Sequence, residues 1–236
     1  MNNRFAIIDG RVEKHIAKPL KDLGYEVLSL PRFPMLDEPV SAHPDMLIFI
    51  WGKKIITHKE YYPIARDIFD LLRSYGYEIL LSEQKISPKY PHDVPLNCAA
   101  VGDFLIANKK SVSKLILDVT SERLSLLHTN QGYTKCSTFI VDEHSVITAD
   151  ASIAKACEEV GIDVLKVREG DVRLDGYDYG FIGGAGGADG DLVFFAGDPA
   201  YHHDGNIIKN FCESKGKKVV ALADIPLLDV GTIFFA

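Results

Sequence analysis

The sequence predicts an α/β fold in which five β-β-α-β units are arranged around a pseudo-fivefold axis, as the blades of a propeller. Three observations predict it. Residues 132–167 contain one complete unit, a glycine joins a helix to the next strand at positions 24, 76, 161 and 216, and the chain ends in DVGTIFFA, a strand without a helix of its own. We expect a single domain over residues 1–236, closed by pairing of that last strand with the N-terminal strand RFAIID.

Composition narrows the class of protein. The chain has 236 residues, 47% of them hydrophobic, and a net charge of −7. It has no apolar run of the roughly 18 residues that a membrane span requires, and its N-terminus lacks the pattern of a signal peptide, so we expect a cytoplasmic protein that binds no membrane. The negative charge disfavours a nucleic-acid partner. The four cysteines are not spaced as C-x-x-C pairs, which predicts free thiols and neither a metal site nor a disulfide framework.

The unit in residues 132–167 defines the pattern of the other blades. Its first strand is predicted at 135–141, a polar turn follows, and a second strand covers 146–148. Asp150 is placed to cap a helix whose Ile153, Cys157 and Val160 recur on one face. Gly161 ends the helix, and the strand IDVLKV follows within two residues.

The first two blades follow the same order. Blade one runs from RFAIID through a helix near residues 18–23 to the strand GYEVLSL. Blade two has the strand LIFI, a turn at 52–54, the strand IIT and then a helix. Thr57, with Glu60 three residues later, predicts a capping box at the start of that helix.

The remaining blades depart more from the pattern. Blade three has NCAAV, a turn, FLIA and a helix predicted at 109–119, without the junction glycine. Blade five begins with YGFIGG as a strand, passes a glycine-rich turn at 183–190 and continues with LVFFAG, a helix and KKVVAL. These features still give five units, because the shortened blade three fits between two junction glycines.

Five such blades resemble the pentein, or guanidino-modifying-enzyme, fold of arginine deiminase, dimethylarginine dimethylaminohydrolase, the amidinotransferases and the non-enzymatic ribosome anti-association factor. The stretches PLNCAAV, QGYTKCSTF and VITADASIAKA are similar to the corresponding stretches of dimethylarginine dimethylaminohydrolases. The resemblance implies an active site in which a cysteine near the C-terminus attacks the guanidinium carbon. A histidine would serve as acid and base, and carboxylates would bind the guanidinium nitrogens.

Each of these three roles falls on a residue of another kind. The nucleophile should lie in the closing strand, near Thr232 and Ile233, and no cysteine follows Cys212. The position of the histidine reads Tyr133, and that of the acidic residue reads Ala99 or Ala100. We therefore expect a pentein without guanidine-modifying activity and without a cofactor, which leaves open whether it is an enzyme of another kind.

Two thiols and one histidine are the candidates for a rebuilt catalytic centre. Cys98 and Cys136 start the first strands of neighbouring blades, where they form either a thiol pair in a pocket or small side chains packed near a crowded axis. With His128 as the base, either thiol would make the chain a hydrolase of guanidino or amidine compounds with a relocated nucleophile. A ribosome-binding or protein-interaction module is the second alternative.

A polar pocket at the mouth of the ring is the candidate binding site. The loops between blades place polar residues at equivalent positions, and Gly183 and Gly184 lie in a segment that forms either a hairpin or a ligand contact. We expect the partner to be a small polar molecule or a protein. His202, His203 and Asp204 predict no metal site, because adjacent histidines point apart and Asp204 is placed to cap the next helix. The predicted pocket residues are Asp45, Asn97, Tyr133, Lys135, Asp178 and Asp229.

Overall fold

The computed structural model describes residues 4–236 and has five three-stranded sheets. In each sheet the first strand pairs antiparallel with the second, and the second pairs parallel with the third after a helical crossover. The strands are β1 (Arg4–Asp9), β2 (Tyr25–Leu30), β3 (Ile48–Trp51), β4 (Lys54–His58), β5 (Glu78–Ser82), β6 (Ala99–Val101), β7 (Phe104–Ala107), β8 (Ser125–His128), β9 (Phe139–Asp142), β10 (Ser145–Thr148), β11 (Asp163–Lys166), β12 (Gly186–Asp189), β13 (Leu192–Phe195), β14 (Lys218–Ala221) and β15 (Phe234–Phe235).

One helix connects the second and third strands of every sheet, and two single-turn helices precede first strands. The core lies between the sheets and the connecting helices. Within residues 4–236, no helix is long and apolar enough to cross a bilayer. The helices are α1 (Glu13–Asp22), α2 (Pro44–Leu47), α3 (Arg66–Ser74), α4 (Lys114–Thr120), α5 (Thr134–Ser137), α6 (Ala151–Glu159) and α7 (Gly205–Ser214).

The two ends of the chain complete one sheet together. Strand β15 pairs antiparallel with β1, with Ala6 opposite Phe235 and Ile7 opposite Phe234. The C-terminal strand therefore serves as the first strand of blade one, and the predicted pairing is confirmed. The five-bladed α/β propeller predicted from the sequence is the observed architecture.

The unit in residues 132–167 shows how local sequence determines a blade. The Asp150 carboxylate accepts hydrogen bonds from the backbone N–H groups of Ser152 and Ile153, so it caps α6 as predicted. Gly161 ends the helix with φ +81°, a conformation that costs a glycine little.

Three predicted helix starts are wrong. Helix α1 begins at Glu13 and not near residue 18, so Pro19 lies inside it. The other two helices begin later than predicted, for a shared reason. Helix α3 begins at Arg66 and not after Thr57, which lies in β4, where its hydroxyl donates to the Leu47 carbonyl at 2.9 Å. Helix α4 begins at Lys114 and not near residue 109. Irregular turns precede both helices, and capping signals do not reveal where such turns end.

Three more predictions about blades four and five need correction. Lys135 lies in α5 and not in a strand, so the first strand of blade four begins only at Phe139. The segment YGFIGG is not a strand, and residues 183–190 are not a hairpin turn: residues 182–185 form a short 3₁₀ helix, and β12 follows it directly. Asp204 precedes α7, but its side chain makes no capping bond to that helix and accepts instead from the Arg168 N–H.

Candidate functional site

Polar groups from all five blades meet where the first strands begin. Just before each first strand the chain makes a short turn, and each turn carries a buried polar group. Hydrogen bonds connect these groups across blades, although they are far apart in the sequence. The groups are the side chains of Asp45, Asn97, Lys135 and Thr232 and the carbonyl of Gly183.

A lysine and an aspartate approach each other here through a hydroxyl. Lys135 Nζ donates to Thr232 Oγ1 at 2.9 Å, and that oxygen lies 2.9 Å from Asp45 Oδ2 and from the Gly183 carbonyl. Burial lowers the pKa of Lys135 and raises the pKa of Asp45, and the opposite charge of each residue counteracts the shift of the other. The pair therefore depends on both members, because either charge alone is costly in this environment.

Asn97 holds the start of α5 and contacts the Cys136 thiol. Its Oδ1 accepts from the backbone N–H groups of Lys135 at 2.7 Å and Cys136 at 3.2 Å, and its Nδ2 donates to Cys136 Sγ at 3.0 Å. Burial raises the pKa of Cys136, and the charges of Asp45 and Asp229 raise it further. Cys136 is therefore a protonated thiol at neutral pH and not a nucleophilic thiolate.

Asp229 and His43 extend this set of buried groups. The Asp229 carboxylate accepts from the N–H groups of Phe181 at 2.8 Å and Gly231 at 3.0 Å, and its Oδ1 lies 3.8 Å from His43 Nδ1. His43 Nε2 lies 3.9 Å from Asp9 Oδ2. Burial lowers the pKa of His43 and raises the pKa of Asp229, although each residue's charge opposes the shift of the other.

Two glycines pack directly against Asp229 and His43. A Cβ on Gly184 would overlap the Asp229 carboxylate, and a Cβ on Gly231 would overlap His43. Aromatic rings cover the set: Tyr133 lies 5.9 Å from the ring of Tyr90 and 6.0 Å from that of Phe181, between ring centroids. We call this region, comprising Asp9, His43, Asp45, Asn97, Cys136 and Asp229, the closed end of the channel.

The other end of the channel is an open chamber of about 670 Å³. The first strands of the blades form its walls, and the hairpin turns after them surround its mouth. Lys135, Thr232 and Cys98 lie at its floor, because they precede those strands. Ligand-binding cavities in proteins typically measure about 300–1,000 Å³, so the chamber is of the size that holds a small molecule.

Glycines bring one wall close to its neighbours. A Cβ on Gly186 would overlap the Phe194 carbonyl, and a Cβ on Gly187 would overlap the Ile233 carbonyl. The glycine-rich segment thus permits close backbone contact within blade five at Phe194 and between blades at Ile233, and β12 presents bare peptide groups to the chamber. Gly183 and Gly184 lie just before it, packed against α5 and Asp229.

The structure brings most of the predicted site residues together but leaves two apart. Asp45, Asn97, Cys136 and Asp229 lie in the closed end, Gly183 and Gly184 border it, and Tyr133 covers it. Lys135 and Cys98 line the chamber floor. His128 is exposed at the end of β8, where its Nδ1 accepts from the Lys109 N–H at 3.4 Å. Asp178 is exposed on the loop before blade five.

Sequence reasoning missed the parts played by Thr232, His43 and Asp9. Thr232 stands at the same place in its blade as Asp45 and Asn97 do in theirs, so the repeat itself contains the signal. His43 immediately precedes the Pro44 turn, and Asp9 ends β1. Both point to the axis only once the blades are assembled.

A protein-family model, described as a family of unknown function (DUF6873), matches residues 7–234. No curated protein sequence matches the chain. The family match covers all five blades.

Solved structures show the fold. Dimethylarginine dimethylaminohydrolase from Pseudomonas aeruginosa, a mutant complexed with citrulline, aligns with a TM-score of 0.55 and 9% identity over 94% of this chain and 92% of that one. Inosamine-phosphate amidinotransferase from Streptomyces griseus aligns with a TM-score of 0.54 and 12% identity, over 94% of this chain and 85% of that one. The N-terminal domain of an arginine dihydrolase from Cyanobacteria, bound to product, aligns with a TM-score of 0.54 and 11% identity, over 93% of this chain and 90% of that one. The fold is that of the penteins, and these structural neighbours are guanidino-modifying enzymes.

Proposed function

Since the chain belongs to DUF6873, a family of unknown function, we propose that it is a pentein that binds a small polar ligand in its central chamber and does not modify guanidine groups. One observation carries the proposal: Lys135, Thr232 and Asp45 are joined to one another by hydrogen bonds at the axis, while the open volume lies toward the hairpin turns. A cavity of this size favours a small molecule over a protein partner.

The positions that resemble catalytic positions support the non-catalytic part. Ile233, near the place of the nucleophile, is 2% exposed and its N–H donates to the Gly186 carbonyl. Ala100 lines the chamber with a methyl group, and Tyr133 donates its hydroxyl to Asp93 at 2.5 Å. None of these three side chains can act as a thiolate, as a carboxylate or as a base of neutral pKa.

The hydrolase hypothesis requires an activated thiol beside a base. Burial raises the pKa of Cys98 as well as that of Cys136, so both favour the protonated form. His128, the proposed base, is exposed on β8 and hydrogen-bonded to the backbone of Lys109. These observations favour ligand binding over hydrolysis.

Product formation is the direct test of the missing activity. The purified protein, given arginine, methylated arginine or agmatine, should release no ureido product above the rate without protein. Release that is abolished by Cys98→Ser or Cys136→Ser, but retained by Cys157→Ser on α6, would establish the hydrolase instead. Cys157 is a suitable control because it is also a buried free thiol.

Binding is tested by thermal shift against amino acids, organic acids and guanidino compounds. At least one compound should raise Tm, since a ligand that binds the native state stabilises it. Ala100→Trp, which fills the chamber, should remove the shift, and Leu126→Trp on the exposed face of β8 should retain it. A shift that persists in Ala100→Trp would place the ligand elsewhere. The cytoplasmic location and a protein partner stay predictions.

A further inference from the structure

Lys135 is the basic residue at the floor of the chamber, and we propose that the ligand of the chamber is an amphipathic monocarboxylate with a flat apolar body, its carboxylate bound by Lys135 Nζ. This inference rests on the proposed function, because it names the class of ligand for the same chamber.

The lysine and its counter-ion face different spaces. Lys135 and Thr232 line the chamber, whereas Asp45 is fully buried in the closed end, behind Thr232. Because the hydroxyl stands between the ammonium and the carboxylate, the two groups interact without direct contact. Lys135 Nζ also donates to the carbonyls of Thr138 at 3.4 Å and Gly183 at 3.5 Å, and an incoming carboxylate would replace these two longer bonds with a charge-assisted one.

The walls favour an apolar, flat body. Four phenylalanines line the chamber, and Lys135 Nζ lies 5.8 Å from the ring centroid of one of them, Phe234. The bare peptide groups of Gly186 and Gly187 form another part of the wall. Aromatic rings and peptide planes stack well on planar groups, and a cation beside an apolar wall suits a ligand with one charged end. The four rings are Phe49, Phe139, Phe234 and Phe235.

The mouth argues against a second negative charge on the ligand. Asp142 and Glu143 border it, with Lys217 and His144. Lys217 Nζ already donates to the Gly190 carbonyl at 2.7 Å. A ligand whose carboxylate is at the floor thus has its outer end beside two carboxylates and one ammonium, a net negative set that disfavours a second carboxylate on the ligand.

Matched pairs of ligands test the carboxylate without altering the protein. Indole-3-propionate, 3-phenylpropanoate and decanoate are each titrated by calorimetry against their primary amides, which have nearly the same shape and no charge. A buried charge-assisted hydrogen bond should make at least one of the two aromatic carboxylates bind about tenfold to a hundredfold more tightly than its amide.

A double variant tests the role of Lys135. Lys135→Met combined with Asp45→Asn removes both charges together, so no buried charge is left unpaired. It should bind the amide as before and lose the preference for the carboxylate. Lys53→Met, at an exposed lysine over the Tyr77 ring, should retain the preference.

The outcomes separate this inference from the proposed function. Equal affinity for acids and amides, lost in Ala100→Trp, would overturn the ligand class and leave binding in the chamber standing. A preference that survives the double variant would also overturn the inference. If no carboxylate binds while a cationic or neutral compound does so in a chamber-dependent way, the inference is wrong and the proposed function holds. If no compound binds at all, both are wrong.

Discussion

The closed end and the chamber are two halves of one channel with opposite construction. In the closed end, carboxylates, an imidazole, an amide and a thiol lie within hydrogen-bonding or ion-pair range of one another, and glycines make room for them. In the chamber, phenylalanines and bare backbone surround open volume, with one lysine and one threonine at the floor. Lys135 and Thr232 form the boundary and belong to both.

The contrast between the two ends shows that buried polar groups serve two purposes: they hold the blades together, or they bind a ligand. Polar groups that bind one another fix the relative positions of the blades, at the cost of desolvating each group. A polar group at the edge of free volume instead has a face available to a ligand. The presence of many polar residues at the axis is therefore not by itself a sign of a reaction centre.

We expect the largest effect on stability from replacing Lys135, which lies at the boundary between the closed end and the chamber. Lys135→Met leaves Asp45 buried without its cationic partner, and losing one partner of a buried pair typically costs about 3–5 kcal/mol. We expect a loss of this size in the free energy of unfolding from denaturant titration. Lys135→Met with Asp45→Asn should recover most of it, and exposed Lys53→Met should change little. A loss below about 1 kcal/mol for Lys135→Met would mean that the pair does not hold the two ends together.

The features of the fold and the site that the sequence predicts are those that depend on residues close to one another in the sequence or on the repeat of the blade. The strand-helix-strand order and the pairing of β15 with β1 follow from local periodicity and from one unpaired strand at the C-terminus. The convergence of Asp45, Asn97 and Lys135 follows from the repeat, because equivalent positions in a propeller meet at the axis. These predictions needed only the spacing of residues within a blade.

The rest required contacts between distant segments. The closed end forms because Gly184 and Gly231 leave room for the side chains of Asp229 and His43. The sequence around either glycine does not indicate these contacts. The sequence predicts the start of a strand where α5 lies, since four residues are too few to show a helical period. The conformations of the loops carrying His128 and Asp178 were equally invisible.

Acidification should weaken the structure behind the closed end. His58 donates Nε2–H to the carbonyl of Met46, next to Asp45, and burial lowers its pKa to about 4. Between about pH 6.5 and pH 4, His58 is protonated in the unfolded chain and stays neutral in the folded protein. The free energy of unfolding therefore falls as pH falls.

The measurement is the difference between wild type and His58→Gln, in which the other titrations largely cancel. That difference should decrease by about 2–3 kcal/mol from pH 7 to pH 4. A difference that does not change with pH would show that His58 titrates as it does in the unfolded chain.

Enlarging a side chain should be costly at one end and tolerated at the other. Gly184→Ala places a methyl group against the Asp229 carboxylate and should cost about 1–3 kcal/mol, as overpacking does. Ala100→Trp directs a much larger side chain into the chamber and should cost less than about 1 kcal/mol. Denaturant unfolding of both variants decides the comparison, and the reverse order of costs would contradict the assignment of a closed and an open end.

The smallest expected effect is a difference in labelling rate between two thiols of equal burial. Cys98 and Cys136 are each 3% exposed, but Cys98 lines the chamber, while Cys136 lies among Asn97, Asp45 and Asp229. Burial raises the pKa of both thiols, so both should react slowly at neutral pH and faster as pH rises.

Methyl methanethiosulfonate is small enough to enter the chamber and reach Cys98, whereas Cys136 becomes accessible only through local opening of the closed end. Peptide mass spectrometry over a time course from pH 7 to pH 10 should show Cys98 modified first at every pH. Labelling of Cys136 first would mean that the closed end opens more readily than the chamber admits the reagent. Fast labelling of either thiol at pH 7 would reveal an activated cysteine and favour the hydrolase hypothesis.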